Sequence, residues 1–367
     1  MDLIKKTLFK LSLLRKGMNF SEELASRLYQ RYIGHSKIIA WHKGCPMYTT
    51  VSPPFFSTQF ANKLTTTFLA SQQHRPLPYL MDIAVTDKCN LNCDFCSFVG
   101  KEKKDPIFSK KELIDVINEA VIMGVSSVNF VGGEPLLRSD LPEVIRGIDQ
   151  KNTITGIFTN GYFLEEKARE LKKAGLTSVK VSIDSADPSE HDKRRSKKGL
   201  FEKATRGLIK AKKEGLITAI ACCIKDEQLD NGDFRKLIEL GKKLKVNELF
   251  VFEMLPVGAC GKNKSCYQSL DLKKAMRIAS KYNKDDSYPG IVFYPYIADK
   301  FSLGCSGGIS YLYISPYGDV YPCDFSNKSY GNTRDTELPF IWEKMSKEIE
   351  RTSIGCKMKK KGFQKVI

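Results

Sequence analysis

Three cysteines lie within eight residues, in the segment Cys89-Asn-Leu-Asn-Cys93-Asp-Phe-Cys96. The apolar run before them, residues 79–86, is typical of a buried β-strand, so we expect the thiols on the loop at the C-terminal end of that strand. Thiolates are the ligands that iron–sulfur clusters take from proteins. Three thiolates on one short loop predict a four-iron cluster that keeps one iron open for a small chelating molecule.

A zinc site is the alternative interpretation of these three thiols. Structural zinc usually takes four ligands from paired C-x2-C arms. The C-x3-C-x2-C spacing offers only one such arm, and it therefore favours the cluster.

The cysteine spacing, with Phe95 directly before the third cysteine, resembles the signature of the radical SAM superfamily. The resemblance implies a 4Fe-4S cluster on Cys89, Cys93 and Cys96 whose open iron binds S-adenosylmethionine (SAM). It extends over residues 80–258, because four further segments follow in the family's order. They are Gly132-Gly133-Glu134-Pro135, Thr159-Asn160-Gly161, Ser182-Ile183-Asp184 and His191-Asp192-Lys193-Arg194-Arg195.

The resemblance also implies SAM contacts for individual residues. Glu134 would hold the SAM amino group, whereas Ser182 and Asp184 would bind the ribose hydroxyls. Glycines beside Glu134 would let the backbone approach a ligand closely, because they lack a Cβ. Helix-cap chemistry at a strand end is the alternative for Ser182 and Asp184. The full set of implied SAM contacts is Phe95, Gly132, Gly133, Glu134, Pro135, Asn160, Ser182, Asp184 and Arg195.

Arg195 is implied as the partner of the SAM carboxylate, a charge-assisted contact. The family usually has glycine after this arginine, but Ser196 stands here. Either Arg194 or Arg195 can therefore make the contact. No catalytic side chain beyond these binding residues is identified.

Apolar runs and helical patterns alternate through the middle of the chain. This order predicts an α/β fold with a parallel sheet wrapped by helices. The family resemblance implies a partial (β/α)6 TIM-like barrel, in which chemistry gathers at the C-terminal ends of the strands. We predict strands at 80–86, 126–131, 153–158, 177–183, 217–223 and 248–254 and helices at 109–124, 139–150, 164–174, 200–214 and 231–245.

The N-terminal 76 residues are predicted to be helical and irregular, and the irregular stretch 35–75 is predicted to cover the barrel mouth or shape a substrate tunnel. We predict helices near 21–32 and 58–69 in this region. A basic amphipathic helix comes first, and it either packs on the protein's own core or lies on anionic lipid. Its apolar side chains recur at helical spacing: Ile4, Leu8, Leu11 and Leu14.

The C-terminal third resembles the SPASM/twitch extension of the same superfamily. Cys305 is followed by twelve residues and then by Gly318-Asp-Val-Tyr-Pro-Cys323, and residues 314–321 are typical of a short β-hairpin. A helix near 338–351 precedes Cys356. The resemblance implies a second, auxiliary 4Fe-4S cluster on Cys305, Cys323 and Cys356.

The fourth ligand of this cluster is open between Cys260, Cys266, a side chain other than cysteine, and the substrate. Zinc or simple structural thiols are the alternative for this region. The predicted units are an N-terminal extension (1–76), the radical SAM barrel (77–258), a linker with a helix (259–299) and the auxiliary-cluster domain (300–367).

The composition limits the setting and the partners. Eleven cysteines at uneven spacing, without a recognisable signal peptide, favour a reducing and oxygen-poor cytoplasm over a disulfide framework. The net charge of +17 indicates either a solvated lysine-rich surface or an anionic partner. That partner would be a phosphorylated substrate or a membrane, on whose inner face the protein would be peripheral. Nucleic acid is not expected, because basic and aromatic residues do not interleave as in nucleic-acid-binding motifs.

The predicted activity is reductive cleavage of SAM to a 5′-deoxyadenosyl radical that takes hydrogen from a substrate carbon. A reductant such as ferredoxin or flavodoxin is the implied partner. The substrate is predicted to be a peptide or protein side chain or a membrane lipid. Cofactor biosynthesis of the molybdenum-cofactor or tetrapyrrole type is an alternative, and the non-enzymatic alternatives are an iron–sulfur electron carrier and a zinc scaffold.

Overall fold

The computed structural model of the chain describes residues 37–99, 103, 105–262, 269–297, 304–349 and 356–359. The basic segment 1–20 and the helix predicted near 21–32 lie outside these ranges. Among the described residues, no helix is long and apolar enough to cross a membrane.

A nine-stranded sheet forms the centre of the protein, and a two-stranded hairpin lies beside it. Neighbours in the large sheet follow the order β11-β10-β3-β4-β5-β6-β7-β8-β9, and all pairs are parallel except β10 with β11. The strands are β1 Ala40–His42, β2 Cys45–Met47, β3 Leu80–Ala84, β4 Ser127–Val131, β5 Ile154–Thr159, β6 Ser178–Ser182, β7 Ile217–Ile224, β8 Glu248–Glu253, β9 Gly290–Phe293, β10 Tyr311–Ile314 and β11 Val320–Tyr321.

The predicted α/β fold with a parallel sheet is confirmed. The six predicted barrel strands are β3 to β8 in chain order, and two further parallel strands extend them. β9 adds to one edge and β10 to the other, so the parallel part has eight strands. β9 has only four residues, which is too short for its pattern to stand out in the sequence.

Helices follow the barrel strands and cover the outside of the sheet. A capping box formed by Ser109 and Glu112 starts the helix after β3, and Gly175 in the left-handed region ends the helix after β5. The helices are α1 Thr58–Gln72, α2 Lys110–Ile122, α3 Leu141–Gly147, α4 Leu164–Ala174, α5 Pro188–Arg194, α6 Leu200–Lys213, α7 Glu227–Asp230, α8 Asp233–Lys243, α9 Gly258–Lys262, α10 Leu272–Asn283, α11 Tyr294–Ile297 and α12 Leu338–Glu348.

The main hydrophobic core lies between the sheet and this helical layer. Its members include Val128, Phe130, Ile157 and Val179, which are all inaccessible to solvent. Both faces of the parallel sheet are covered, which explains the nearly continuous apolar runs that made the strands recognisable.

The described part of the N-terminal extension closes the opposite end of the barrel from the cysteine loop. Met47 packs against Ile154 and Ile217, which are the first residues of β5 and β7. The Thr50 backbone amide donates to Glu248 at the start of β8, with N and Oε2 3.0 Å apart. The expectation that this segment covers the mouth is therefore wrong for residues 47–50, which seal the floor.

The C-terminal hairpin is continuous with the barrel. β10 pairs in parallel with β3, with Tyr311 opposite Leu80 and Ile314 opposite Ile83. The hairpin turns over residues 316–318, inside the stretch 314–321 that the sequence predicts to form it. Helix α12 then anchors the hairpin, because its fully buried Trp342 donates from Nε1 to the Pro76 carbonyl oxygen at 3.0 Å.

Candidate functional site

The cysteine loop lies directly after β3, at the C-terminal end of the sheet. Cys89 is exposed, whereas Cys93 and Cys96 are half-buried. Desolvation raises the pKa of Cys93 to about 12, and the charges of Cys96 and Cys89 act in the same direction, while Arg195 opposes them. The three thiols are therefore close enough to interact, as a shared cluster requires.

No group of three His, Cys, Asp or Glu side chains among the described residues is arranged to hold a single metal ion. A four-iron cluster differs from a zinc ion in this respect, because each thiolate binds a different iron. The donor set of three thiols on one loop fits such a cluster.

Gly132 and Gly133 bring the end of β4 against the start of the cysteine loop. The Gly133 amide donates to the Thr86 carbonyl oxygen at 3.0 Å, and the Glu134 amide donates to that of Lys88 at 2.8 Å. A Cβ added at Gly132 would lie 2.3 Å from the Thr86 oxygen, and one at Gly133 would lie 2.2 Å from the Lys88 oxygen. These glycines therefore allow the backbone after β4 to approach the backbone at Thr86 and Lys88, whereas the sequence analysis expected them to allow a ligand to approach.

Glu134 connects the ends of β4 and β5. Its Oε1 accepts from the Thr159 hydroxyl at 2.6 Å and from the Leu136 amide at 3.0 Å, and its Oε2 accepts from the Asn160 amide at 2.8 Å. Burial raises the pKa of Glu134, and these three hydrogen bonds oppose the shift. A carboxylate has about four acceptor positions, so Oε2 keeps capacity for an ammonium group. Pro135 is buried and starts the short 3-10 turn that follows.

Asn90 connects the cysteine loop to β5 and carries an unused donor. Its Oδ1 accepts from the Asn160 amide side chain at 2.8 Å. Its own Nδ2 is buried without a hydrogen-bond partner among the described residues. An unsatisfied buried donor costs about 1–3 kcal/mol, so an acceptor on a bound cofactor fits this position.

Asp184 and Arg195, both implied as SAM contacts, are paired with each other. Arg195 Nε lies 2.7 Å from Asp184 Oδ2, and Asp184 Oδ1 accepts from the Cys223 amide at 2.9 Å. Burial acts to raise the pKa of Asp184, but the positive charges of Arg195 and Arg194 outweigh it, and the pKa is lowered. Ser182 lies half-buried at the end of β6, two residues before this pair.

Phe95 packs against two arginines at once. The guanidinium carbons of Arg194 and Arg195 lie 5.2 and 5.4 Å from its ring centroid. Arg194 also donates to the carbonyl oxygens of Asp184 and Cys223, at 3.3 and 3.1 Å. Ser196 has a φ of +54°, which explains in physical terms why glycine suits this position.

The second group of thiols comes together at the far side of the hairpin. Desolvation raises the pKa of Cys356 to about 12, and the neighbouring charge of Cys305 adds to this shift. Cys323 interacts in the same way with Cys305 and Cys356. The structure thus brings together the three cysteines that were predicted to hold the auxiliary cluster. Of the candidates for its fourth ligand, Cys260 is buried and disulfide-bonded, and Cys266 lies outside the described ranges.

Residues 255–259, which follow β8, connect the two thiol groups, and we call them the connecting segment. The Ala259 amide donates to the Cys96 carbonyl oxygen at 2.9 Å. On the other side, Leu255 and Val257 pack in an apolar cluster with Met358 and Cys356. The segment therefore fixes each cysteine group relative to the other.

A row of polar side chains inside the barrel was missed from the sequence. Lys180 donates to Asn129 Oδ1 at 2.9 Å, and Asn129 Nδ2 donates to Asp82 Oδ1 at 2.8 Å. The Tyr311 hydroxyl lies 3.0 Å from Asp82 Oδ2 and 3.2 Å from Asp324 Oδ1. The sequence does contain a signal for this row, because β3, β4 and β6 each carry one polar residue at the centre of the strand, between apolar neighbours.

These features define an enzyme class in which a parallel α/β barrel presents an iron–sulfur cysteine loop after its first strand. A family model of the radical SAM superfamily matches residues 83–240, and one of the SPASM iron–sulfur cluster-binding domain matches residues 305–363. GTP 3′,8-cyclase of Aquifex aeolicus (strain VF5) is 30% identical over 296 residues, which cover 75% of this chain and 92% of that protein. The chain belongs to the radical SAM superfamily and carries a SPASM-type C-terminal extension.

A second relative is a probable GTP 3′,8-cyclase of Saccharolobus islandicus (strain M.14.25 / Kamchatka #1). It is 35% identical over 185 residues, which cover 50% of this chain and 59% of that protein. The match therefore spans little more than half of that relative's length.

Solved structures show the same fold at low identity. Streptococcus suis SuiB bound to precursor peptide SuiA superposes with a TM-score of 0.64 at 16% identity, covering 95% of this chain and 84% of that one. The native anSMEcpe with bound AdoMet gives 0.56 at 19% identity, covering 73% and 82%. Membership of the radical SAM superfamily, together with the SPASM-type extension, makes the chain an enzyme with SAM and iron–sulfur clusters as cofactors.

Proposed function

We propose that this enzyme abstracts hydrogen from a carbon of a neutral or cationic substrate, and that the substrate is a peptide or protein side chain. Cys89, Cys93 and Cys96 would hold the first cluster, and SAM bound to that cluster would supply radical chemistry after one-electron reduction. The chain's own residues orient SAM through Glu134, Asp184 and Arg195, exclude water, and hold the substrate between the two thiol groups.

The acidic interior beside the auxiliary thiols carries this proposal. Asp82 and Asp324 share the Tyr311 hydroxyl and interact electrostatically with each other. Glu253 is nearly inaccessible and pairs with Lys359 at 2.5 Å. Two like charges at 4 Å repel by about 4 kcal/mol at an effective dielectric constant of 20. Lys359 offsets the charge of Glu253, and Lys180 lies at the other end of the polar row, so the unbalanced negative charge is that of the Asp82–Asp324 pair. This pair favours a neutral or positively charged group over a triphosphate.

Aromatic rings next to these carboxylates suit the apolar part of a side chain. The Phe252 ring lies 6.1 Å from Phe158 and 5.6 Å from Tyr294. Tyr294 interacts electrostatically with Cys323 and Cys305, so this aromatic wall reaches the auxiliary thiols. A substrate on the wall would lie beside both the barrel interior and the second cluster.

The test measures formation of 5′-deoxyadenosine by the reconstituted enzyme with dithionite. Peptides rich in lysine, peptides rich in glutamate, GTP and anionic vesicles are added separately. We expect the lysine-rich peptides to stimulate the reaction and to be modified. Stimulation by GTP with formation of a cyclised nucleotide would contradict the proposal.

Nucleotide cyclisation is the second candidate, because the Aquifex aeolicus relative is named GTP 3′,8-cyclase and nearly its whole length is matched. Direct binding separates the two candidates without turnover. Calorimetric titration of the reconstituted enzyme with GTP should show no binding if the acidic interior is the substrate site. The lipid hypothesis depends on residues 1–20 and is tested by deleting part of that segment.

We also propose an acidic one-electron donor of the ferredoxin or flavodoxin type as a partner, because dithionite has no counterpart in the cell. The excess of 59 lysines and arginines over 42 acidic residues supports a negatively charged partner.

A further inference from the structure

A positively charged surface lies next to the first cysteine loop, and the SAM site does not use it. Between residues 193 and 203 the chain has six cations and one anion. Arg194 and Arg195 turn inward onto Phe95. Lys193 and Lys198 are exposed, and Lys197 and Lys203 are half-buried. Four lysines of this segment are therefore available on the outside.

Tyr162 organises two of these lysines. The Lys203 ammonium lies 4.3 Å from the centroid of its ring, and the Lys197 ammonium lies 5.2 Å from it. Contacts of this kind hold the ammonium groups over the ring and leave them partly hydrated. Lys203 has one acidic neighbour, Glu166 at 3.9 Å, whose side chain is itself two-thirds exposed.

A short hydrogen-bonded path joins this tyrosine to the cysteine loop. The Tyr162 amide donates to Asn160 Oδ1 at 2.9 Å, and the Asn160 amide side chain donates to Asn90 Oδ1 at 2.8 Å. Asn90 is the neighbour of Cys89, which is the exposed member of its triad. Lys88, on the other side of Cys89, is exposed as well.

We infer that Tyr162, Lys197 and Lys203 form the docking surface through which an acidic one-electron carrier protein reduces the first cluster. The inference rests on the reductant partner proposed above. The carrier is oxidised by one electron, the cluster is reduced by one electron, and no bond is formed or broken. Charge complementarity suits such an encounter, because redox interfaces are small and steering accelerates association.

The experiment compares two electron sources on the reconstituted holoenzyme. An acidic flavodoxin with its reductase is one source, and dithionite is the other. Lys197→Glu/Lys203→Glu is expected to slow flavodoxin-driven cluster reduction about tenfold at low salt and to leave dithionite-driven reduction unchanged. At about 1 M salt, where the Debye length is about 3 Å, wild type and variant should converge.

Lys242→Glu/Lys243→Glu is the matched control. Lys242 lies 3.9 Å from the ring centroid of Tyr288, so it reproduces the lysine–tyrosine contact. Both control lysines end α8, at the opposite end of the barrel from the cysteine loop. This variant changes the net charge equally and should keep the flavodoxin-driven rate.

Binding of oxidised flavodoxin to the immobilised holoenzyme provides a readout without turnover, and Lys197→Glu/Lys203→Glu should weaken it. Equal loss of flavodoxin binding in the control variant would overturn the inference, because it would show an effect of bulk charge.

A dithionite-driven rate that falls together with the flavodoxin-driven rate would overturn the inference, because it would show structural damage. Unchanged flavodoxin kinetics together with lost binding to single-stranded RNA would assign the surface to nucleic acid instead. Normal dithionite-driven SAM cleavage without peptide modification would count against the proposed substrate and leave this inference standing.

Discussion

Position 258 requires glycine because the carbonyl oxygen of Cys96 lies where a side chain would begin. Its φ is +56°, and an added Cβ would lie 2.3 Å from the Cys96 carbonyl oxygen. Both the left-handed backbone and the contact exclude a side chain. In the sequence, Gly258 closes a Pro-Val-Gly segment after β8, and the residue that requires this glycine lies in a loop more than 150 residues away.

Gly258→Ala should release the Cys96 end of the cysteine loop and reduce occupancy of the first cluster. Two four-iron clusters predict about eight irons per chain, and the variant should retain about four. Iron and sulfide analysis after anaerobic reconstitution measures this. Gly232→Ala is the control, because Gly232 has a φ of +86° with no atom within 4 Å of an added Cβ. It should keep full iron content, and equal loss in both variants would contradict the argument.

Asp82 gives the stability a distinctive dependence on pH. Burial and the nearby charge of Asp324 raise its pKa to about 7. Between about pH 4 and pH 7 the folded protein therefore holds a proton that the unfolded chain has lost, so stability decreases as pH rises through this window. Each pH unit contributes at most about 1.4 kcal/mol.

Asp82→Asn should flatten this decrease in denaturant unfolding measured across the same pH range. Asp187→Asn serves as the control, because hydrogen bonds lower the pKa of Asp187. Titration of Asp187 therefore changes the stability only at more acidic pH, below the window in which Asp82 acts. An unchanged slope in Asp82→Asn would show that Asp82 titrates near its ordinary range.

Among the elements, the barrel strands were predictable and the short strands were not. β3 to β8 are buried runs of five to eight residues bounded by turn residues, and their predicted ends agree with the structure to within two residues. The β1–β2 hairpin has two strands of three residues, which carry no periodic signal. The polar row inside the barrel depends on strand register, which places Asp82 beside Asn129, and a single sequence does not contain register.

Helix α12 is expected to determine how firmly the C-terminal hairpin is held. Trp342 is fully buried, and its Nε1 donates to Pro76 before β3. Trp342→Ala should lower the free energy of unfolding by about 3–5 kcal/mol, because it removes a large buried side chain. Trp342→Phe keeps most of that volume and should lower the free energy of unfolding by about 1 kcal/mol for the lost hydrogen bond, in addition to any cost of repacking. Urea unfolding measures both. Equal values for the two variants would show that the hydrogen bond, and not the volume, controls the anchoring.

The two cysteine groups should be separable by iron content. Cys305→Ala/Cys323→Ala/Cys356→Ala and Cys89→Ala/Cys93→Ala/Cys96→Ala should each retain about four of about eight irons. Only the second variant should lose SAM cleavage entirely. Retention of all iron by either variant would show that its three cysteines are not cluster ligands.

The basic N-terminal segment gives the lipid hypothesis its own test. Deleting residues 1–16 removes Lys5, Lys6, Lys10, Arg15 and Lys16. If the segment lies on anionic lipid, sedimentation with anionic vesicles should fall on deletion and on addition of salt. Unchanged sedimentation would leave the general surface charge as the source of any binding.

The strand order leaves the barrel wall with a lateral seam. Hydrogen bonds run without interruption from β11 to β9, but within the described part of the chain no ladder joins β9 to β10. Tyr294 follows β9 at this seam and interacts electrostatically with the auxiliary thiols. A closed barrel admits a substrate only through its ends, whereas an open barrel can receive one residue of a long polymer between its edge strands. For the peptide substrate proposed above, such a seam would let a residue in the middle of the polypeptide reach the site without threading either end of the substrate through the enzyme.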